Sequence, residues 1–287
     1  MTPQEPDTTL YRPALETLRT LIRTSTSSMT SVPKPLKFLR PHFAELALLQ
    51  EAMPEESNSL LDKVASAVGL ASEQSTASNK SLFADILSVL AMTYSDSGKR
   101  ETLSYRLKGR SEEDPGCWGH EYVRSVCRSL YRVRPLTARP NRHLASELGE
   151  EYLARQTTAE ATDDLIQLGL RLVPFLLTHN GEADAVDLLL ELESIPEIIP
   201  HVDDNTYARV CLYMVSCVNL LVPPDDKEFL KTARKIYRKH GKFTESITLA
   251  LRLQDMDLVK EDFEAPTNPS VYPAALHDSS DEFRTEI

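Results

Sequence analysis

The feature that most constrains this chain is a succession of apolar residues at helical spacing, interrupted repeatedly by Pro, Gly, Asn or Asp. Tyr11, Leu15, Leu18 and Ile22 recur on one helix face, with Pro13 in the first turn, where its missing N–H costs nothing. Residues 27–35 (SSMTSVPKP) break that pattern, and Pro41 opens the next helix. Residues 54–80 mix a short apolar helix with a Ser/Asn/Glu-rich loop. Residues 80–95 are the clearest buried helix, with Phe83, Ile86, Leu87, Leu90 and Tyr94 on a wide apolar face closed by Asp96, Ser97 and Gly98. The next helix runs to about Leu107. From His143 the pattern resumes in HLASELGEEYLAR and DDLIQLGLRLVPFLLTH, the latter ending at Asn180-Gly181, a helix C-cap. EADAVDLLLELESI, NTYARVCLYMVSCVNLL, KEFLKTARKIYRKH and FTESITLALRL follow with short loops between them. Helices joined by short loops lie antiparallel, and pairs recurring every ~30–40 residues have the period of helical solenoids. The predicted fold is all-α, a helical-repeat, α-solenoid-like array of antiparallel helix pairs.

Composition agrees and narrows the function. The chain holds 9 Gly among 287 residues, few for a fold of strands or a phosphate-cradling loop, and 18 Pro, many of them between helical runs. Net charge is −11 but uneven: residues 1–142 hold 19 Lys+Arg and 16 Asp+Glu, residues 143–287 hold 13 and 27. The acidic second half argues against nucleic acid or an anionic membrane as partner. No apolar run approaches 18 residues, so no membrane span is expected. The polar N-terminus lacks a secretory signal. Cys117, Cys127, Cys211 and Cys217 include no C-x-x-C pair, which fits free thiols in the reducing cell interior.

A search for chemistry returns no active site. There is no G-x-S-x-G elbow and no dinucleotide-binding glycine triplet. Ser97-Gly98-Lys99-Arg100 lacks both the first glycine and the final hydroxyl of a phosphate-binding loop. Cys117, His120, Cys127 and His143 could supply four zinc ligands, but their spacing is irregular, and Trp118 and His120 read better as packing residues at a helix start. Cys211 and Cys217 lie six apart on one helix, facing different ways, and read as buried small hydrophobes. The pairs Asp163-Asp164, Asp203-Asp204 and Asp225-Asp226 each fall at a helix start, where carboxylates cap or favour the dipole. His179 stands at a helix end, where a cation suits the dipole. Lys34, Lys37 and Arg40 are either a patch for an acidic partner or a solvated helix face. No catalytic, cofactor-binding or metal residue is assigned, and the partner-binding residues are unknown from sequence.

Ala233, Tyr237, Gly241, Phe243 and Ala250 mark a helix, a tight turn and a second helix. They resemble a tetratricopeptide-type hairpin loosely, since Ser246 stands where a small apolar residue is usual; an ordinary helical hairpin is the alternative. Longer stretches carry a closer resemblance: LYRPALETLRTLIRTSTSSMTSVPKPLKFLRPH (10–42), ADILSVLAMTYSDSGKRETLSYRL (84–107), WGHEYVR (118–124), EADAVDLLLELE (182–193), YARVCLYMVSCVNLLVPP (207–224) and KIYRKHGKFTESITLALRL (235–253). Over most of residues 8–265 the chain resembles the N-terminal region of the largest-class non-ATPase base subunits of the 26S proteasome regulatory particle, the non-ATPase regulatory subunit 2 family. The resemblance implies a non-catalytic scaffold beside the ATPase ring, no cofactor, a cytoplasmic and nuclear location, and a part in ubiquitin-dependent protein degradation. It also implies a longer protein, in which a toroid of helical repeats carries the surfaces for ubiquitin and ubiquitin-like receptors, so this fragment is not expected to bind them. A free-standing helical-repeat adaptor and a truncated product without independent function are the alternatives.

Two segments depart from the family pattern. Residues 125–142 carry five Arg, two Pro and no acid between WGHEYVR and HLASELGEEY, which the family joins directly. They read as an in-frame insertion, with a lineage-specific loop the alternative. After Ala265 the text is polar and aperiodic. The expected division is a disordered N-terminus (1–9), an N-terminal helical region (10–124), an inserted loop (125–142), a helical-repeat region (143–265) and a divergent, disordered tail (266–287).

Overall fold

The computed structural model describes residues 10–25, 34–53, 78–94, 100–109, 113–123 and 144–265. The expected loop at 125–142, the tail at 266–287, the N-terminus at 1–9, the mixed segment at 54–77 and the helix closure at Asp96-Ser97-Gly98 lie outside the described residues. Among the described residues every regular element is helical, with no strand. The chain divides into two compact units, Met1–Phe175 and Leu176–Ile287.

The first unit contains α1 (Tyr11–Ser25), α2 (Lys34–Leu39), α3 (Phe43–Ala52), α4 (Asn79–Tyr94), α5 (Glu101–Gly109), the short α6 (His120–Val123), α7 (Leu144–Thr158) and most of α8 (Asp163–Thr178). Its centre is α4, against which α1, α2, α3 and α5 pack. Every residue from Leu82 to Met92 is buried, so the apolar face expected from sequence extends around the whole helix. That is the signature of a helix enclosed by others. Its two polar members, Asp85 and Ser88, are buried with it. The sequence has Pro33 and Pro35 breaking the first helix; in the structure Lys34–Leu39 is itself a helical turn and a half, with Pro35 in its first turn. Pro41 opens a 3-10 turn, Arg40–His42, that leads into α3.

The second unit contains α9 (Glu182–Glu191), a 3-10 segment (Ile195–His201), α10 (Tyr207–Cys217) extended by a 3-10 turn (Val218–Leu220), α11 (Asp225–Lys239), α12 (Phe243–Arg252) and α13 (Met256–Glu264). Each helix packs on the next in chain order. Two elements were not foreseen from sequence. Ile195–His201 holds prolines at 196 and 200 that hide its periodicity, while α13, in a stretch rich in acids, has only Leu258, Val259 and Phe263 to advertise it beyond Met256. The end of α8 is set by Asn180, in the left-handed region at φ 58°. Gly181 is tightly fitted there: its N–H donates to the Leu176 carbonyl at 2.8 Å, and a Cβ would stand 3.1 Å from that same oxygen. Gly241, at φ 68°, turns α11 back into α12, a conformation a side chain resists.

Candidate functional site

Of the four residues that sequence singles out as possible zinc ligands, Cys117 and His120 are described. Among the described residues no group of three or more His, Cys, Asp and Glu is arranged to hold a metal ion. Cys117 is exposed in the 3-10 turn Pro115–Trp118, and Trp118 beside it is buried. The His120 ring lies 6.3 Å from that of Phe175, a packing role at the start of α6. Cys127 and His143, the other two possible ligands, lie outside the described residues. Cys211 and Cys217 are both buried, and burial pushes the Cys211 thiol up to about 12, which makes it an inert core group.

The aspartate pairs act at helix starts, each differently. Asp163 and Asp164 occupy the first turn of α8, and Asp164 also pairs with Arg155 at 2.7 Å. Asp225 and Asp226 occupy the first turn of α11, where they favour the dipole without capping it from outside. Asp203 accepts from the Thr206 hydroxyl at 2.7 Å and from the N–H groups of Thr206 and Asn205, closing the turn before α10. The Thr206 bond leads the causes that hold its carboxyl below the usual range. Asp204 meets the Nδ1 of His240, whose ring stacks on Tyr207 at 4.7 Å.

What the fold does bring together is two buried polar knots. In the first unit Arg106 pairs with Asp85 at 3.1 Å, their side chains 2% and 5% exposed. Arg106 and Arg171 both donate to the Glu113 carbonyl, at 2.5 and 2.9 Å, while the Glu113 carboxylate receives Arg19 and Arg23 of α1. Arg23 also lies over the Trp118 ring, 4.8 Å from its centroid. Nearby, Ser88 donates to the Thr102 carbonyl at 2.6 Å, so its single proton is committed and the Tyr122 hydroxyl donates to it at 2.7 Å. Burial pushes the Tyr122 phenol well above its ordinary value. Gly116 admits the Phe175 ring: a Cβ there would lie 2.1 Å from a ring carbon.

In the second unit Asp262 of α13 is fully buried between α11 and α12. Both its oxygens receive Arg234, at 2.6 Å each, and Oδ2 also accepts from the Ser246 hydroxyl at 2.6 Å. Burial works against the Arg234 charge, but the bonds to Asp262 and Glu261 outweigh it and hold that guanidinium above its usual value. Ser246, the misfit in a tetratricopeptide pattern, is explained by Asp262, a partner 16 residues away on a helix the sequence did not announce.

On the surface, an open groove of about 650 Å³ lies along α5 and α7, lined by Arg100, Tyr105, Lys108, Glu151 and Arg155 among others. Its charges are largely paired among themselves, Glu151 taking both Arg100 and Arg155. Lys34, Lys37 and Arg40 are all exposed on or beside α2. No helix of the described residues is long and apolar enough to cross a membrane.

Comparison with known proteins places this architecture. The family model described as the RPN1 N-terminal domain matches residues 2–133 and 141–274. The 26S proteasome regulatory subunit rpn-1 of Neurospora crassa is 46% identical over 261 residues, 91% of this chain and 24% of that protein. The Schizosaccharomyces pombe subunit rpn1 is 46% identical over 256 residues, 89% of this chain and 24% of its own length. The Arabidopsis thaliana 26S proteasome non-ATPase regulatory subunit 2 homolog B is 40% identical over 265 residues, 92% and 25%. The chain thus spans about a quarter of the length of these curated relatives. An all-helical array with two internal ion-pair knots, matched over nearly its whole length by one family model, belongs to the RPN1 N-terminal domain family.

Proposed function

We propose that this chain acts as a non-catalytic scaffold segment of the 26S proteasome regulatory particle base, supporting ubiquitin-dependent degradation by holding other subunits rather than by chemistry. The observation that carries this reading is the family match over residues 2–133 and 141–274, joined to relatives named as proteasome regulatory subunits. The structure supports it in kind. The polar residues that stand out serve packing: carboxylates at helix starts, the Cys211 and Cys217 thiols in the core, and arginines satisfied by buried acids. Base subunits of the ATPase ring are the partners this reading implies, in the cytoplasm and nucleus. Ubiquitin and ubiquitin-like receptors are not expected to bind this segment.

The test is replacement. The matching segment of the Neurospora relative is exchanged for this chain, and regulatory particles are isolated through a tagged ATPase subunit. Recovery of the chimera in intact particles is the expected result. A chimera that is folded and soluble, yet absent from particles that the unaltered relative enters, overturns the reading. Purified chain is also expected to show no ATPase, peptidase or deubiquitinating activity above that of a heat-denatured sample.

A further inference from the structure

Helix α2 carries an exposed aromatic ring set among cations, and nothing in the scaffold reading uses it. Leu36 is the buried anchor of this helix. At 100° per residue, Lys34, Lys37 and Phe38 fall together on the opposite side, within about 100° of arc. Phe38 is 78% exposed, the most exposed of the large apolar residues described. Arg40 follows in the 3-10 turn and is exposed as well. Lys34, Lys37 and Arg40 make no ion pair among the described residues, and the run 34–44 contains no acid. The first acid downstream, Glu45, meets His42 at 3.3 Å.

A phenylalanine left in water forgoes the free energy that its burial would return. Lys34 and Lys37 on its face, with Arg40 following in the next turn, repel one another and attract anions. An exposed aromatic flanked by charge of one sign is the anatomy of an interface anchor with a steering rim. We propose that the α2 face is a docking site for an acidic protein segment that carries an apolar side chain: its carboxylates meet Lys34, Lys37 and Arg40, and its apolar residue covers Phe38. Charge complementarity selects the sign of the partner. The single ring selects protein over nucleic acid, which is gripped by several stacked aromatics along a basic groove. The six-residue length of α2 selects protein over a lipid surface, which is bound by longer amphipathic helices with a continuous apolar face.

The test uses the full chain and a short fluorescent peptide of aspartates and glutamates interrupted by two leucines, read by anisotropy. Binding is expected, weakening as salt rises from about 50 to about 300 mM. Phe38→Ala is expected to weaken it about 10-fold, as loss of an interface anchor does. The triple variant K34E/K37E/R40E is expected to abolish it, with the circular dichroism spectrum of the wild type, because all three side chains are exposed. A peptide with serines for leucines should bind the wild type no better than the original peptide binds the Phe38→Ala variant. The proposal is overturned if the wild type does not bind the peptide, if Phe38→Ala binds as tightly as wild type, or if oligothymidylate or phosphatidylserine vesicles bind the same face more tightly.

Discussion

Both units bury an arginine–aspartate pair, yet they tie the chain together over different distances. The Arg106–Asp85 pair spans 21 residues, but the first unit adds long ties: Arg19 reaches Glu113 across 94 residues, Arg171 reaches it across 58, and the Leu103 N–H donates to Glu147 across 44. In the second unit they are short: Arg234 to Asp262 spans 28 residues, Ser246 to Asp262 spans 16, and Lys239 to the Ile199 carbonyl, among the longest, spans 40. The second unit is therefore built as a repeat array is, each helix answering to its neighbours. The first is built around one enclosed helix, α4, and one acidic residue, Glu113, on which four arginines converge. Local ties form with little loop-closure cost; long ones must wait for distant segments to meet.

The largest expected effects come from removing one member of each buried pair. Asp85→Ala removes the buried carboxylate that faces Arg106, and Asp262→Ala leaves Arg234 with the half-exposed Glu261 and the Leu258 carbonyl. Each should cost about 3–5 kcal/mol, the second toward the lower end because Glu261 remains. If the two units are independent in stability, hydrogen exchange will show Asp85→Ala loosening α1, α4 and α5 while sparing α11–α13, and Asp262→Ala the reverse. Loss of protection in both units from either change would break the comparison.

A smaller effect is expected from Gly116→Ala, which drives a methyl into the Phe175 ring and should cost about 1–3 kcal/mol, read as a lower thermal midpoint. Ser246→Ala should cost about 1 kcal/mol, since Asp262 keeps Arg234 but loses one hydrogen bond. A stabilised Ser246→Ala would mean that the small apolar residue of a tetratricopeptide pattern is what this hairpin prefers.

The smallest effect is on pH. Arg238, and after it Arg234, hold the Glu261 carboxyl below its ordinary value of 4.5. A carboxylate lowered on folding adds stability above its unfolded value, and that stability is lost as pH falls through the folded value. Denaturant titrations should therefore show α13 weakening in acid below 4.5, and Arg238→Ala should shrink that acid-dependent part. Glu261 is 47% exposed at its side chain, so screening keeps the effect small.

The sequence by itself determined the class of fold and much of its register. Leu15, Ile22, Phe83, Leu87 and Leu90 are core residues where their spacing places them, because a 3.6-residue period leaves an apolar stripe only one way to face. The helix starts at Asp163 and Asp225 and the turn at Gly241 were legible for the same local reason: dipole and backbone preference act within a turn of the residue concerned. Glu113, Asp262 and Ser246 were not legible. The groups that meet their side chains lie 16 to 94 residues away, and a lone acid or hydroxyl in a polar stretch carries no mark of the arginine that will meet it. The Lys34–Arg40 run was visible as charge, but whether Phe38 turned inward or outward depended on Leu36 taking the buried side against α1 and α4. Periodicity is a property of neighbours along the chain and survives in one dimension. Pairing of buried charges is a property of neighbours in space, and only the tertiary structure decided it.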